Sequence, residues 1–226
     1  NINREFTKAG YQSVYLGKWH LGDIPLEEYG IEMRDYHTDN IDNKGVNTLN
    51  PESYGNLDAL TTAKALNFLE NYRNDKPFFM TVSWYMPHPN STPPGSDQYP
   101  FELVKEYENL YPLDEMPVPK SFYEDDLSTK PGFQKERMQM KECMLTEDKV
   151  RSDAQKYRSM ISSVDQNLSM LLDRLEEKGL SEHTIILFTS DHGDMQGAHR
   201  LRLKGVLPYK ELYNSPLILY IPGVTP

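Results

Sequence analysis

Three short runs of β-forming residues, each ending on ionisable side chains and separated from the next by helical sequence, constrain this chain more than any other feature. Ser13 to Gly17 leads into Lys18-Trp19-His20, Pro77 to Trp84 into Tyr85-Met86-Pro87-His88-Pro89, and Thr184 to Thr189 into Ser190-Asp191-His192-Gly193. The second run is apolar almost throughout, as in a strand covered on both faces, and the third reads as another buried strand. Strands that alternate with helices pair in parallel beneath helices on both faces, and such sheets bind ligands beyond the carboxyl ends of their strands. The expectation is an α/β fold, a mostly parallel sheet sandwiched by helices, with the three polar clusters meeting at one rim.

The intervening elements follow from period and caps. Ile2 to Ala9 has helical composition and closes at Gly10. Leu57 to Asn74 places Leu60, Ala63, Leu66, Phe68 and Leu69 near helical spacing, with Asp58 where an acid suits the helix dipole. A long helix is expected over Asp148 to Lys178, its apolar stripe of Tyr157, Met160, Ile161, Val164, Leu168, Leu171, Leu172 and Leu175 stopping before Gly179. A helical turn over Leu207 to Tyr213 and a strand over Pro216 to Ile221 come last, and Gly22 to Asn56 is irregular. Prolines at 87, 89, 93, 94, 100, 112, 117, 119 and 131 break up residues 87–147, which read as a lid or excursion.

A chain of 226 residues is enough for one substantial core, so residues 1–226 are expected to be a single domain or part of one. The net charge of −10 argues against a broad nucleic-acid surface, and no apolar run approaches the roughly 20 residues of a membrane span. Cys143 is the sole cysteine, which excludes an internal disulfide and a thiol-rich metal site. The first residue is Asn1 and no signal-peptide pattern follows it.

Within the polar clusters, Asp191 and His192 offer a carboxylate and an imidazole that divalent cations accept. Capping and turn formation with Gly193 would account for the same two residues. Charge is concentrated after them: from Asp191 to Glu211, Arg200, Arg202, Lys204 and Lys210 stand against Asp191, Asp194 and Glu211, leaving +1 in a chain of −10. Alternation along an extended segment points Lys18 and His20 one way and Trp19 the other. The two could grip one anion, or be a solvated strand end and a loop histidine. His88 lies between two prolines that favour an extended backbone at Pro87 and His88; a held imidazole suits acid–base work or anion binding, and an ordinary loop accounts for it as well.

The segment from Gly10 to Gly22, Gly-Tyr-Gln-Ser-Val-Tyr-Leu-Gly-Lys-Trp-His-Leu-Gly, resembles the second sulfatase signature G-Y-x-T-x-x-x-G-K-W-H-L-G, with Ser13 in the Thr/Ser position. Thr189 to Met195, Gly197-Ala198-His199, Lys204 and the run from Tyr209 to Ile218 are similar to a second stretch of the same family. There, sulfatases and their phosphonate- and phosphodiester-cleaving relatives carry a metal-binding Asp-His or Asp-Asn, a downstream lysine, and a helix leading to a V-P-L-I strand. Tyr85 to Pro89 resembles the P-H-x-P loop. The likeness spans nearly the whole chain and is weakest from Asn90 to Glu147.

This resemblance to sulfatases, within the alkaline-phosphatase-like superfamily, implies an α/β/α catalytic domain of which residues 1–226 are an incomplete part. It implies that Asp191 and His192 serve a divalent-cation site, calcium first and magnesium or manganese as alternatives. Lys18, His20, His88 and Lys204 would contact the sulfate or assist proton transfer to the leaving oxygen, and His199 would touch substrate or play a structural part. The implied substrate is a small-molecule or oligosaccharide sulfate ester, a sulfated sugar first, and the family favours a periplasmic or secreted compartment.

The family's nucleophile is a formylglycine made from Cys or Ser in a C-x-P-x-R context upstream of the lysine signature. Cys143 is followed by Met144-Leu145-Thr146-Glu147 and lies downstream of Lys18, so it reads as an ordinary cysteine. The expectation is an internal piece of a longer polypeptide, lacking the first strand and the smaller C-terminal domain, with formylglycine in an upstream segment. Such a piece should be inactive alone and carry an unpaired sheet edge that favours self-association. Phosphodiester or phosphonate hydrolysis, and sulfated-glycan binding without turnover, are the alternative readings.

Overall fold

In the computed structural model, strand β1 (Gln12–Trp19) lies between β2 (Met33–Thr38) and β3 (Phe78–Ser83) in a three-stranded parallel sheet. The structure describes residues 1–20, 26–38, 54–73, 75–90, 100–124, 127–138 and 145–225. Register runs from Val14 opposite Met33 to Trp19 opposite Thr38 on one side, and from Gln12 opposite Phe78 to Gly17 opposite Ser83 on the other.

Successive side chains of a strand face opposite ways, and Phe78 and Phe79 thereby take up helices on both faces. Phe79 stacks on Phe6 of α1 (Ile2–Lys8), ring centroids 4.2 Å apart. Phe78 meets Phe68 and Tyr72 edge-on at 5.5 and 5.0 Å, where α2 (Tyr54–Asn71) ends. The expected sandwich is therefore present around β1, whose Val14 and Leu16 are wholly buried. Asn3 of α1 accepts a hydrogen bond from Ser13 Oγ at 3.1 Å, tying that helix to the central strand. At Gly17, φ is +96° and a Cβ would sit 2.0 Å from the Ser83 carbonyl oxygen, so β1 and β3 approach this closely only because the residue before Lys18 is glycine.

Around this sheet, three expectations change. β2 lies in the segment read as irregular, because its sequence, Met-Arg-Asp-Tyr-His-Thr, has no apolar run to announce a strand. β3 carries helices on both faces yet stays half-buried along its length, since among the described residues it is an edge strand. The buried face of α2 carries Leu57, Asp58, Thr61, Thr62, Ala65, Phe68 and Leu69, while Leu60 is 38% exposed. The polar members are recruited to that face by the neighbouring strand ends, with Thr61 lying against Gly17 and Asp58 and Thr62 bonding the segment after β3.

The chain divides into two compact units, Asn1–His88 with Ile161–Leu180, and Pro89–Met160 with Ser181–Pro226. The parallel sheet belongs to the first. Helix α5 (Glu147–Glu177) matches its expected span within a residue at each end and contributes to both. Its Met160, Val164, Leu171 and Leu175 are buried, whereas Ile161 and Leu172 of the expected stripe are exposed.

In the second unit the proline-punctuated segment holds only short elements among the described residues: α3 (Ser121–Glu124), α4 (Gly132–Met138) and 3-10 turns. Its backbone is fastened to the first half of α5: Val104 N–H donates to Ser159 Oγ at 3.1 Å, and Gln155 Nε2 donates to the Tyr111 carbonyl at 2.9 Å. β4 (Ile186–Thr189) and β5 (Leu217–Tyr220), on either side of α6 (Lys210–Tyr213), pair antiparallel and separately from the parallel sheet. The strand expected to be buried is thus exposed: Leu187, Leu217 and Ile218 are open to 58%, 73% and 62%, with no layer covering this ladder among the described residues. Among those residues no helix is long and apolar enough to cross a membrane. Cys143, and Leu21 and Gly22 of the first signature, lie outside the described residues.

Candidate functional site

β4 hands its chain to Ser190-Asp191-His192-Gly193, and backbone bonding fixes the shape of this turn. Asp191 Oδ1 accepts the His192 N–H at 2.9 Å, a local bond that Asp favours in turns. Gly193 donates its N–H to the Leu212 carbonyl at 2.9 Å, and a Cβ on it would lie 1.9 Å from the Glu211 carbonyl oxygen, so α6 can approach here only against glycine. His192 Nδ1 is 2.7 Å from the Gly193 carbonyl oxygen. A carbonyl only accepts, so Nδ1 is the donor in this contact. Nε2, the other ring nitrogen, stands 3.5 Å from Asp191 Oδ2. Asp191 and His192 line a cavity of about 370 Å³ together with Lys204, Gly205, Val206, Leu212, Tyr213 and Ser215.

The loop from Asp194 to Lys204 joins the two sides of this cavity. Met195 N–H donates to the Leu203 carbonyl at 3.0 Å and Gly197 N–H to the Leu201 carbonyl at 2.9 Å, while Met195, Ala198 and Leu201 are buried with Leu207 and Leu212. The Asp194 carboxylate accepts from the backbone and side-chain N–H groups of Gln196, both at 2.9 Å, yet burial raises it above the usual carboxylate range. On α5, burial and then the negative charges of Asp194 and Asp191 push the Tyr157 phenol up to about 12, so it remains a neutral hydroxyl beside the pair. Helical spacing had placed Tyr157 only in an apolar stripe; its closeness to residues more than thirty positions away leaves no local trace.

The local positive charge read from the sequence is mostly engaged elsewhere. Arg202 is 2% exposed, its Nε 2.9 Å from Asp153 Oδ2. Arg200 Nε donates to the Phe122 carbonyl at 3.0 Å and its guanidinium lies over the Phe122 ring. Of the four cations in that window, Lys204 is the one that lines the cavity. His199 does not line it: its ring stacks on Tyr209 with centroids 4.0 Å apart, and its N–H donates to Ser121 Oγ at 3.2 Å.

In the first unit, Lys18 and His88 both adjoin Tyr85. Lys18 Nζ lies 5.1 Å from the centroid of that ring, and His88 N–H donates to the Tyr85 carbonyl at 2.8 Å. The chain therefore turns at Met86–Pro87, a cis peptide, instead of extending through Pro87 and His88 as the prolines alone suggested. What shapes the turn is Asp58, wholly buried, whose two carboxylate oxygens accept the N–H groups of Tyr85 at 2.7 Å and Met86 at 2.9 Å. Trp84 Nε1 adds a bond to Thr62 Oγ1 at 3.0 Å, and Thr62 in turn donates to the Asp58 carbonyl. Trp19 is buried among Tyr15, Ile31 and Tyr29, while His20 is exposed, in line with the alternation expected of this strand end.

Among the described residues no group of three or more His, Cys, Asp and Glu forms a complete metal centre. Asp191 and His192 supply one carboxylate and one imidazole, a partial donor set for a divalent cation. Their chemistry fits a divalent cation that draws its remaining ligands from other groups.

The sulfatase family model matches residues 1–226. The chain is 28% identical over 246 residues to the uncharacterized sulfatase YidJ of Escherichia coli (strain K12), an overlap covering 98% of this chain and 47% of YidJ. Its fold is that of BT4656, solved in complex with its substrate D-glucosamine-2-N,6-O-disulfate, with a TM-score of 0.66 and 21% identity over 98% of this chain and 55% of that one. It is likewise similar to the phosphonate monoester hydrolase of Agrobacterium radiobacter, with a TM-score of 0.72 and 19% identity over 99% of this chain and 53% of that one. The chain thus spans about half the length of these relatives. With the lysine–histidine strand end, the Asp-His turn and the downstream lysine all falling inside a match that runs its whole length, the chain belongs to the sulfatase family.

Proposed function

We propose that the protein hydrolyses sulfate monoesters, with sulfated carbohydrates as its substrates and residues 1–226 acting as part of one catalytic domain. The observation that carries this reading is the cavity in which Asp191, His192 and Lys204 lie together, in a family member. A sulfate ester develops negative charge on its non-bridging and leaving oxygens, and fixed cations and donors lower that barrier most. Asp191 and His192 would hold a divalent cation, calcium first, which when bound supplies positive charge to the sulfuryl oxygens. Lys204 neutralises the anion as it enters. Lys18 and His20 contact the sulfate, and His88, held by its turn, gives a proton to the departing oxygen. His199, stacked on Tyr209 and not lining the cavity, takes the structural part. A formylglycine from a segment beyond these residues would provide the nucleophile. Residues 87–147 shape substrate choice.

Likeness of fold to a phosphonate monoester hydrolase makes that ester the natural competitor, since one scaffold hosts several chemistries. The test is turnover of 4-nitrophenyl sulfate, bis(4-nitrophenyl) phosphate and 4-nitrophenyl phenylphosphonate by the intact protein under matched conditions. The sulfate should have the highest kcat/KM. If it is the poorest of the three, or if sulfated glycans bind and none is turned over, the proposal fails.

A further inference from the structure

Within the second unit, one face of α5 acts as a platform for the loop that joins Asp191 and His192 to Lys204. Val150, Asp153 and Tyr157 stand three and four residues apart, so they lie on one side of the helix. Each addresses the loop. Gly197, at φ +87°, presses on Val150 so closely that a Cβ would lie 2.7 Å from Val150 Cγ1. Asp153 faces Arg202, and Tyr157 lies within electrostatic reach of Asp194 and Asp191. The middle contact is the unusual one. Arg202 is 2% exposed and Asp153 3%, Nε to Oδ2 is 2.9 Å, the guanidinium lies 5.0 Å from the centroid of Phe101, and Lys149 Nζ holds the other carboxylate oxygen at 2.7 Å.

A buried ion pair of this kind adds little stability over apolar residues of the same volume, because desolvation offsets its attraction. What it does provide is a single geometry, since an unmatched shift leaves two charges unpaired in the interior. Arg202 is separated from Lys204 only by Leu203, whose φ is +63°. That left-handed residue is gripped on both sides: its carbonyl accepts from Met195 N–H at 3.0 Å, and its N–H donates to the Asp194 carboxylate. A non-glycine residue holds such a conformation only where its surroundings impose it.

We propose that Arg202 and Asp153 are positioning residues, which clamp the loop to α5 so that Lys204 faces Asp191 and His192 across the cavity. The proposal rests on the reading of that cavity as the sulfate-ester site. Neither residue touches substrate; they act through the backbone of Leu203.

The test compares Arg202→Met, Asp153→Asn, Arg202→Lys and the double variant Arg202→Met with Asp153→Leu in the intact protein. For each, kcat and KM for 4-nitrophenyl sulfate are measured well below its own melting temperature, together with that melting temperature. Misplacing a reacting group by an ångström costs about 100-fold, so Arg202→Met and Asp153→Asn should lose roughly 10- to 100-fold in kcat with KM changed less than about 3-fold. Arg202→Lys should recover part of that loss. The double variant removes both charges at similar volume and leaves Lys149, 29% exposed at its side chain, to find solvent; it should regain the melting temperature and not the kcat. A kcat that returns with the melting temperature would show a merely structural pair and overturn the proposal. Amide hydrogen exchange at Leu203 and Lys204 reads the same clamp without turnover. It should quicken at least about tenfold in the double variant, and unchanged exchange overturns the clamp even if the protein is an active sulfatase. If the wild type cleaves none of the sulfate esters while exchange quickens as expected, the catalytic reading has failed and the clamp stands.

Discussion

The phenol of Tyr157 shows how a side chain takes its chemistry from where the fold puts it. Burial and the carboxylates of Asp194 and Asp191 push it up to about 12 from an ordinary value of 10.0. Between those values the folded chain keeps a proton that the unfolded chain has released, so folding stability falls as pH rises through this window. Urea unfolding near pH 9 and near pH 11 should therefore show the wild type losing more stability than Tyr157→Phe; equal losses would mean that the phenol is not held next to the two acids. Other residues were legible beforehand to different degrees. Asp191, His192 and Lys204 could be picked out from a strand end and a family resemblance, and they do share a cavity. Arg202 was counted with the local positive charge, and only its burial against Asp153 shows that this charge is spent inside the protein. Asp58 was read for its place in the first turns of a helix, whereas its partners are two backbone amides 27 and 28 positions away. Pairings of that range leave no periodic trace.

Elements were legible in proportion to how strongly one face is apolar. Helix α5 was placed within a residue because eight turns of period repeat the same message. β2 was missed because a strand with arginine, aspartate and histidine has no apolar run, and β3, with helices on both faces as expected, is only half-buried because it lies at the edge of the described sheet. α2 was located but its buried face was misassigned, since three of its polar residues serve neighbours rather than solvent. The consequence for function lies in the turn after β3. Asp58 satisfies the amides of Tyr85 and Met86 in a buried setting, where each orphaned donor costs about 1–3 kcal/mol. Asp58→Ala should destabilise the fold by roughly 2–5 kcal/mol and accelerate amide exchange at Tyr85, Met86 and His88 more than elsewhere in the first unit. Uniform acceleration across β1 and β3 would show that Asp58 supports the whole unit and not this turn.

For the molecule as a whole, the parallel sheet between helices was anticipated, and the antiparallel β4–β5 ladder with both strands exposed was not. A run of Ile, Leu and Phe signals a strand that wants cover, but not whether cover is present. The two ends of the proposed chemistry also fall in different compact units, Lys18, His20 and His88 in one and Asp191, His192 and Lys204 in the other. The proposed chemistry depends most on the second group, where a carboxylate and an imidazole adjoin a lysine. The decisive measurement is an anomalous-scattering map from crystals of the intact protein grown with manganese. A peak about 2.0–2.6 Å from both an Asp191 carboxylate oxygen and His192 Nε2, lost in Asp191→Asn, is the predicted result. Manganese bound elsewhere, with Asp191 and His192 uncoordinated at saturating metal, would contradict it.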